Sequence, residues 1–258
     1  MIKNPPKISP YIGVTGFMTQ SEVASAIEAL ERFSPWISHQ LMIGVMVSAR
    51  TLAGEPHGSR PNQFPDVNDV VGLFPPHRRV VNLIHFNSKD RAPAIWANDF
   101  LRLKVVGGRN CDGVQINIPW PVPSVLACLK GKRVVLSIGH EAQRMAQHDP
   151  NRVVSLLREY VEMDVITDVL IDTSEGKGIT LNSNAVEPYL HAIRRAYPSL
   201  GIGTAGGLCA EVMGKMKSLT ATFPNLSFDA TTRLRTPSDH LNVDAMAKYL
   251  RTASSLFA

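Results

Sequence analysis

The sequence contains few of the features that mark secreted, membrane or metal-binding proteins. Its three cysteines, Cys111, Cys128 and Cys209, are widely spaced and odd in number, so neither a disulfide framework nor a Cys-x-x-Cys metal site is predicted. No run approaches the roughly 18 apolar residues of a membrane span, and residues 1–6 lack the apolar stretch of a signal peptide. These absences predict a cytoplasmic protein without a membrane partner.

Neither basic nor acidic residues are in large excess. The chain has 27 basic and 22 acidic residues, a net charge of +5, and no dense run of Lys or Arg. This balance favours small anionic partners, whereas a nucleic-acid surface would need a basic stripe interleaved with aromatic residues. We therefore expect a phosphorylated small molecule as the partner and no nucleic acid.

The sequence also lacks the common metal and Schiff-base patterns. It has no His-x-His or His-Glu-x-x-His spacing, and no lysine stands at the end of a predicted strand. His85, His140, Asp172 and Asp229 could bind a divalent metal if the fold brought them together, but no spacing supports that alternative. The sequence thus predicts no metal and no cofactor.

Short β-branched runs alternate with amphipathic helical stretches along the whole chain, as in a parallel sheet with crossover helices. Several runs are apolar throughout, as in strands covered on both faces. With 258 residues and 44% hydrophobic content, this pattern predicts an α/β fold, a single (β/α)8 TIM barrel over residues 1–258. The predicted strands are Tyr11–Thr15, Leu41–Val47, Val80–Phe86, Gly113–Ile118, Val134–Ile138, Asp168–Ile171, Gly201–Thr204 and Ser227–Asp229.

Helix boundaries can also be predicted. Thr19 and Glu22 have the spacing of a capping box at the start of the first helix, and Asn242 is a candidate N-cap for the last. An amphipathic stretch lies between residues 149 and 163, and Ile95–Leu103 should form the helix before the fourth strand. The connection over residues 48–67 is rich in proline and glycine and predicts a long binding loop or lid after strand two. A surface insertion or an oligomer contact, such as a homodimer, is the alternative.

Polar residues cluster where the predicted strands end. In a parallel barrel these positions surround the substrate, and lining one rim with groups that are costly to desolvate favours a functional site. Strand ends meet solvent in any fold, which is the simpler interpretation for each residue alone. The polar positions are Thr15, Ser48, Arg50, His85, Asn87, Gln115, Asn117, Trp120, Ser137, His140, Asp172, Thr204, Asp229, Thr231 and Thr232.

Two segments near the C-terminus predict a phosphate site. Gly206 and Gly207 follow the seventh strand and open a helix, and Thr231 and Thr232 follow the eighth. Backbone N–H groups freed by glycine, together with a helix dipole, bind phosphate, and barrels often place that site after strands seven and eight. The glycines of the segment after strand six, Gly176 and Gly178, are further candidates; turn-forming glycines are the alternative.

Several short segments, in conserved order, resemble phosphoribosylanthranilate isomerases. Ala205–Leu208 is identical to that family's seventh-strand motif, and Asp112–Ile116 is similar to its Asp-x-Val-Gln-Leu fourth strand. Leu170–Ser174 and Phe228–Thr232 resemble its sixth and eighth strands, and Ser48–Arg50 resembles the Ser-Pro-Arg after its second. The resemblance implies an isomerase barrel in which Asp172 is the general acid and Arg50 faces the substrate carboxylate.

The sequence departs from the family at the first strand. Val14–Gly16 resembles the family motif, but Thr15 stands where the family has the cysteine that acts as general base. A hydroxyl cannot replace a thiolate as base without a strong activator. Arg233 and Arg235 replace the glycine and glutamate that follow the family's eighth-strand serines, which predicts a more cationic phosphate site.

A histidine could supply the missing base, because imidazole titrates near neutrality. His140 is the first choice, since Gly139 frees its backbone, and His85 is the second. Gln115, Asn117 and Trp120 are the predicted substrate contacts, with Trp120 either stacked on a ring of the ligand or packed under the loop. The sequence predicts acid–base isomerisation or lyase chemistry on a phosphorylated sugar derivative. The alternative is a catalytically inactive, phosphate-binding or regulatory barrel.

Overall fold

The computed structural model describes residues 9–33, 37–58, 60–88, 92–117, 120–172 and 181–258. Eight parallel strands form one closed barrel, in which each strand pairs with the next along the chain and the last pairs with the first. The predicted barrel is confirmed, and every strand end but one lies within one residue of its prediction. The strands are β1 (Tyr11–Thr15), β2 (Gln40–Ser48), β3 (Val80–Asn87), β4 (Gly113–Ile116), β5 (Arg133–Ile138), β6 (Asp168–Asp172), β7 (Gly201–Ala205) and β8 (Ser227–Ala230).

Helices surround the barrel unevenly. In the described parts of the β2–β3 and β4–β5 crossovers, the chain forms short helical turns in place of a long α-helix. Within the ranges given above, no helix has both the length and the apolar character needed to cross a membrane. The α-helices are α1 (Gln20–Phe33), α2 (Ala49–Leu52), α3 (Pro93–Gly107), α4 (His140–Met145), α5 (Pro150–Glu162), α6 (Ser183–Ala196), α7 (Ala210–Met213), α8 (Lys217–Thr222) and α9 (Val243–Ser254).

The predicted helix starts of α1 and α9 are confirmed by their hydrogen bonds. Glu22 N–H donates to Thr19 Oγ1 (3.2 Å) while Thr19 N–H donates to Glu22 Oε2 (3.0 Å), which completes the capping box. Asn242 Oδ1 accepts from the N–H of Ala245 at 3.0 Å. Helix α3 begins before the predicted Ile95, because a proline fits the first helical turn, and it continues past Leu103 to Gly107, where Gly108 with its left-handed φ of +64° ends it.

Two predictions need correction. Strand β4 ends at Ile116, two residues earlier than predicted; Asn117 N–H still donates to the Phe86 carbonyl at 3.4 Å, and Ile118 lies outside the described residues. The connection over residues 48–67 has more regular structure than predicted. Its first residues form α2, which Ser48 and Thr51 begin with reciprocal cap hydrogen bonds, and residues 61–63 form a 3-10 turn.

Alternate residues of each strand face opposite sides of the barrel wall. On β1, Ile12 and Val14 pack outward against the helices, whereas Tyr11 joins an apolar cluster inside the barrel. Inward residues near the strand centres are largely apolar, whereas polar residues lie at both ends of the barrel. The inner cluster consists of Tyr11, Met42, Val81, Leu83, Val135, Leu170 and Ala205.

A buried ion pair lies at the N-terminal end of the barrel. The Arg133 guanidinium donates to both carboxylate oxygens of Asp168, from Nη2 to Oδ1 at 2.5 Å and from Nε to Oδ2 at 2.9 Å. Arg133 also lies over the Tyr11 ring, 4.9 Å from its centroid, and donates to the Ser9 carbonyl at 3.0 Å. Because catalytic groups of such barrels lie at the opposite end, we assign this pair to stability.

His39, just before β2, is buried in its neutral form. Its Nε2 donates to the Leu226 carbonyl at 3.1 Å, and its ring stacks on Phe257 with centroids 3.7 Å apart. Nδ1 has no hydrogen-bond partner among the described residues. Burial lowers the pKa of His39 to about 4, against a smaller opposing effect of the Leu226 carbonyl.

Candidate active site at the barrel mouth

Four polar side chains meet inside the barrel near the C-terminal ends of the strands. Thr15 comes from β1, His85 from β3, Gln115 from β4 and Asp229 from β8, and none is more than 5% exposed. His85 and Gln115 are register partners on adjacent strands, while Gln115 and Asp229 come from opposite sides of the barrel. We refer to these four residues as the mouth tetrad.

The hydrogen bonds of the mouth tetrad run in one direction. Thr15 Oγ1 donates its only proton to Asp229 Oδ1 at 2.8 Å. His85 Nε2, 3.2 Å from the same hydroxyl, must therefore carry the proton and donate it to Thr15. His85 Nδ1 is then an acceptor, and Gln115 Nε2 lies 3.4 Å from it. Gln115 Nε2 is also 3.3 Å from Asp229 Oδ2, so the network ends on the carboxylate.

Two glycines make room for this network. Thr15 pairs in register with Gly44 on β2, and a Cβ at Gly44 would lie 2.3 Å from Thr15 Oγ1. The absent side chain lets Thr15 reach across β2 to His85 on β3. Gly13 pairs with Asp229, and a Cβ there would lie 2.9 Å from the Phe228 carbonyl and 3.3 Å from Asp229 Oδ1. Any larger residue at either position would displace the tetrad.

Burial sets the charge state of the tetrad histidine. Desolvation lowers the pKa of His85, and the nearby Asp229 carboxylate, 3.6 Å from Nε2, opposes that effect only in part. His85 is therefore neutral at pH 7, in agreement with its one donating and one accepting nitrogen. The Asp229 charge also contributes, after desolvation, to raising the pKa values of the buried Tyr11 and Tyr249 hydroxyls.

The network continues towards the rim through two amides. Gln115 Nε2 is 3.2 Å from Asn117 Oδ1, and Asn117 Nδ2 donates to Asn87 Oδ1 at 3.2 Å. Gln115 Oε1 is buried and lacks a hydrogen-bond donor in the described part of the chain. Rotating the Gln115 amide would turn that oxygen towards Asp229 and Asn117 oxygens, so the observed orientation keeps one buried acceptor without a donor among the described residues.

Asp172, the predicted acid, lies at the end of β6 and is half-buried. In the register, Ala205 of β7 pairs with both Asp172 on one side and Asp229 on the other. The two aspartates therefore flank one strand, with Cα atoms roughly 9–10 Å apart from the spacing of neighbouring strands. The inward residue of β7 between them is Ala205, whose methyl group is the only side chain that β7 places at that level.

No protein-family model matches the chain, and no curated protein matches it significantly in sequence. Solved structures do match. The phosphoribosylanthranilate isomerase from Thermus thermophilus superposes with a TM-score of 0.65 at 16% identity, and the match covers 95% of this chain and 99% of that one. The isomerase from Thermotoga maritima gives 0.63 at 14% identity with the same coverage. TrpF from Jonesia denitrificans gives 0.58 at 12% over 96% and 98%.

This chain has the fold of those isomerases. The resemblance inferred from its sequence motifs is thus confirmed at the level of the fold. Identities of 12–16% do not carry the reaction with them, so the chemistry must be argued from the residues of the site itself. Thr15, at the position of the family's cysteine, is hydrogen-bonded to the Asp229 carboxylate and the neutral His85 imidazole. Its role in the site is therefore different from that of a catalytic cysteine.

The two histidines predicted as bases occupy different environments. His85 is part of the mouth tetrad, whereas His140 is exposed at the first position of α4. The His140 ring makes an edge contact with His148, with centroids 6.0 Å apart. The sequence analysis favoured His140, but it is His85 that the fold places beside Thr15 and Asp229.

The predicted phosphate segments lie at adjacent strand ends. Gly206 and Gly207 have left-handed φ values of +119° and +55°, which glycine adopts without strain. Thr231 and Thr232 follow β8 and are half-buried. Gly176 and Gly178 lie outside the described residues.

The two arginines after β8 point to different places. Arg233 is exposed and close enough to Cys209 and Glu211 to affect their pKa values. Arg235 instead donates to the carbonyl of Gly16 at 2.6 Å and approaches the carbonyls of Asn62 and Asp239 at 3.5 Å. Of the two, only Arg233 faces the β7 end, so the predicted cationic phosphate site has one arginine fewer than expected.

The start of α7 carries a carboxylate of its own. A hydrogen bond from the Cys209 thiol lowers the pKa of Glu211, and burial raises the pKa of Cys209. Glu211 would repel a phosphate placed at that short helix. The phosphate site at Gly206, Gly207, Thr231 and Thr232 stays a prediction.

Two other residues predicted to contact the substrate have partners within the protein. Arg50 is exposed in α2, with its Nε 3.5 Å from Glu55 Oε2. Trp120 donates its indole N–H to the Ser137 carbonyl at 2.6 Å and makes an edge contact with Tyr160. Trp120 therefore packs beside α5 within the protein, and its stacking on a ligand ring stays a prediction.

No sequence pattern singles out Asp229 as a catalytic candidate. From the sequence it is only one of many polar strand ends and a possible metal ligand. Within the described ranges no group of three or more His, Cys, Asp or Glu side chains could hold a metal ion. The signal that could have found Asp229 is its position at the end of β8, since the inward parity of that strand places it opposite Gln115.

Proposed function

We propose that this barrel binds a phosphorylated sugar derivative in its C-terminal mouth and isomerises it by acid–base catalysis. The observation that carries the proposal is the mouth tetrad, a buried hydrogen-bonded network in which Gln115 Oε1 has no donor among the described residues. Burying a polar network costs several kcal/mol in desolvation unless its groups have hydrogen-bond partners. Each buried group without a partner costs roughly 1–3 kcal/mol. A barrel kept only as a scaffold would be more stable with apolar residues at these positions.

The comparison structures support the class of ligand. One phosphoribosylanthranilate isomerase has been solved in complex with reduced 1-(o-carboxyphenylamino)-1-deoxyribulose 5-phosphate, a phosphorylated sugar derivative that carries an aromatic amine. We propose a ligand of that chemical class for this chain, with the sugar hydroxyls facing the amides of Gln115 and Asn117. A ligand hydroxyl would supply the hydrogen-bond donor that Gln115 Oε1 lacks among the described residues.

The other proposed roles belong to residues at or after the ends of β6, β7, β8 and β2. Asp172 serves as the general acid, across β7 from the tetrad. Gly206, Gly207, Thr231 and Thr232 hold the phosphate, together with Gly176 and Gly178. Arg50 attracts a second anionic group of the ligand, for which it must exchange its partner Glu55 at the protein surface.

Ligand-dependent thermal unfolding tests the binding half of the proposal. Ribose 5-phosphate and 1-(o-carboxyphenylamino)-1-deoxyribulose 5-phosphate should raise the Tm, and their dephosphorylated forms should raise it far less. At a concentration of 100 times Kd, bound ligand stabilises by about 2.7 kcal/mol. Equal Tm values with and without the phosphate group would contradict the proposal.

Turnover tests the catalytic half. Isomerisation followed by proton NMR should be abolished in Asp172→Asn, whose ligand-induced Tm shift should stay close to that of the wild type. Binding without turnover by the wild-type protein would favour the second candidate function, a catalytically inactive barrel. That candidate is supported by Thr15, which replaces the family's cysteine.

The cellular setting and assembly belong to the same proposal. The free cysteines and the modest net charge support a cytoplasmic protein without a nucleic-acid partner. The Thermotoga maritima isomerase is described as dimeric. Sedimentation or gel filtration of this protein would test whether it forms a homodimer.

A further inference from the structure

We propose that Asp229, positioned by Thr15 and His85, is the group that abstracts the substrate proton in this barrel. The inference rests on the proposed function and names the base that the sequence alone leaves unassigned. It replaces both the family's first-strand cysteine and the histidines considered from the sequence.

The hydrogen bonds exclude the other tetrad members from this role. The Thr15 hydroxyl donates a hydrogen bond to Asp229 and accepts one from His85. It can therefore position a base but cannot act as one. The proton of His85 is on Nε2, its Nδ1 faces the Gln115 amide at 3.4 Å, and its burial favours the neutral ring. Of the four side chains, only Asp229 carries a negative charge that accepts hydrogen bonds from the others.

Asp229 keeps the capacity to accept a further proton. Its Oδ1 is held by Thr15 at 2.8 Å, whereas its Oδ2 is 3.3 Å from Gln115 Nε2 and 3.6 Å from His85 Nε2. A carboxylate offers about four lone-pair sites, so these contacts leave acceptor positions free. The shorter bond fixes the orientation of the group, and the longer contacts leave Oδ2 as the reactive oxygen.

The position of Asp229 suits a pair of carboxyl groups that act on one substrate. Asp172 and Asp229 flank β7, where the inward residue at the same level is the small Ala205. A sugar chain bound over Ala205 would have one carboxyl group on each side. Asp172 can then donate a proton to the ring oxygen, after which Asp229 removes the proton from C2, the carbon next to C1.

The step balances without an oxidant or a metal. Proton donation by Asp172 opens the sugar ring of a 1-amino sugar and leaves an iminium at C1. Asp229 then takes the C2 proton; the C–H electron pair forms the C1–C2 double bond, and the electrons of the C–N double bond move to nitrogen. The resulting enol becomes the ketone at C2 when C1 gains the proton held by Asp229 and the C2 hydroxyl returns its proton to Asp172. Both carboxyl groups regain their starting states, and the product is an isomer of the substrate.

The central test is the variant Asp229→Asn, with Asp112→Asn as its matched control. Asp112 lies at the N-terminal end of the barrel, where it accepts from the Asn82 N–H, and is expected to leave turnover within about twofold of wild type. Asp229→Asn should lower kcat by about 100- to 10,000-fold, the usual contribution of a general base. It should also abolish exchange of the C2 hydrogen with deuterium in D2O, while the ligand-induced Tm shift persists.

Thr15 provides a second test that does not depend on how Asp229→Asn folds. Thr15→Val keeps the shape and removes the hydrogen bond to Asp229, which should lower kcat by roughly 10- to 100-fold with little change in KM. Thr15→Ser should restore the rate, and the acid limb of the pH profile should move to higher pH in Thr15→Val only. A purely structural role for Thr15 would move the Tm and leave the pH profile unchanged.

The outcomes separate this inference from the function on which it rests. If wild-type protein neither binds nor turns over any phosphosugar of the panel, the proposed function fails and the role of Asp229 fails with it. If the wild type is active and Asp229→Asn keeps more than a tenth of kcat with C2 exchange intact, only the assignment of the base is overturned.

Discussion

Replacing Asp168 by Asn would leave a buried guanidinium without its counterion at the closed end of the barrel. Arg133 and Asp168 share two hydrogen bonds, of 2.5 and 2.9 Å, and their side chains are 10% and 4% exposed. Burial alone lowers the pKa of Arg133, but Asp168 more than compensates and raises it, so the arginine stays charged. The variant would therefore bury an uncompensated positive charge.

The expected loss is large relative to the stability of a domain. Removing one partner of a buried ion pair costs about 3–5 kcal/mol, against a typical total of about 5–15 kcal/mol. The asparagine would still accept from Thr167 Oγ1, which bonds Asp168 Oδ2 at 2.7 Å, so the loss arises mainly from the unpaired charge. Urea unfolding at pH 7.5, followed by far-UV circular dichroism, would measure it.

The double variant Arg133→Met, Asp168→Leu is the control. Removing both charges leaves no unpaired ion, and we expect it to cost less than Asp168→Asn alone. Because the pair lies at the end of the barrel opposite the mouth tetrad, the ligand-induced Tm shift should be retained in the double variant. A loss below about 1 kcal/mol for the single variant, or an equal loss for both, would refute this account of the pair.

Three further predictions concern single positions. The pKa of His39 is about 4 when folded and about 6.5 when unfolded, so stability should fall between pH 6.5 and 4, by up to about 3 kcal/mol; His39→Gln should flatten that part of the pH profile, and a slope equal to that of wild type would contradict the assignment. Gly44→Ala places a methyl group against Thr15, and we expect about 1–3 kcal/mol of destabilisation with loss of turnover; an active variant would show that the close approach is not needed. Arg235→Met removes hydrogen bonds to three loop carbonyls and should speed amide hydrogen exchange within residues 60–64, whereas Arg233→Met should not; equal exchange rates in both would mean that Arg235 does not hold the loop.

Much of the fold follows from local patterns. The apolar runs at strand positions, the capping box of Thr19 and Glu22, and the Asn242 cap depend on neighbours a few residues apart, and the structure agrees with each. The order of the motifs that resemble the isomerases also survives in the sequence, because each motif is a strand end or a turn with its own local requirement. These features could be predicted without knowing how the barrel closes.

The choice between the two histidines shows where local patterns fail. Both His85 and His140 follow or end a predicted strand, and their sequence contexts do not reveal which ring turns inward. The closed sheet decides it, since the parity of β3 places His85 beside Gln115, whereas His140 lies beyond the end of β5 on an exposed turn of α4. The two arginines after β8 differ for the same reason, because residues two apart leave a helical turn in different directions.

What the sequence determined by itself is therefore the architecture and the rim from which a site can be built. Only the tertiary structure decided which polar side chains contact one another in the mouth tetrad. The hydrogen bond between Thr15 and Asp229, for example, joins residues 214 positions apart. That bond forms only when β8 closes on β1 and when Gly13 and Gly44 leave the space for it. Strand closure and the resulting inward parity are properties of the whole barrel, and no window of sequence contains them.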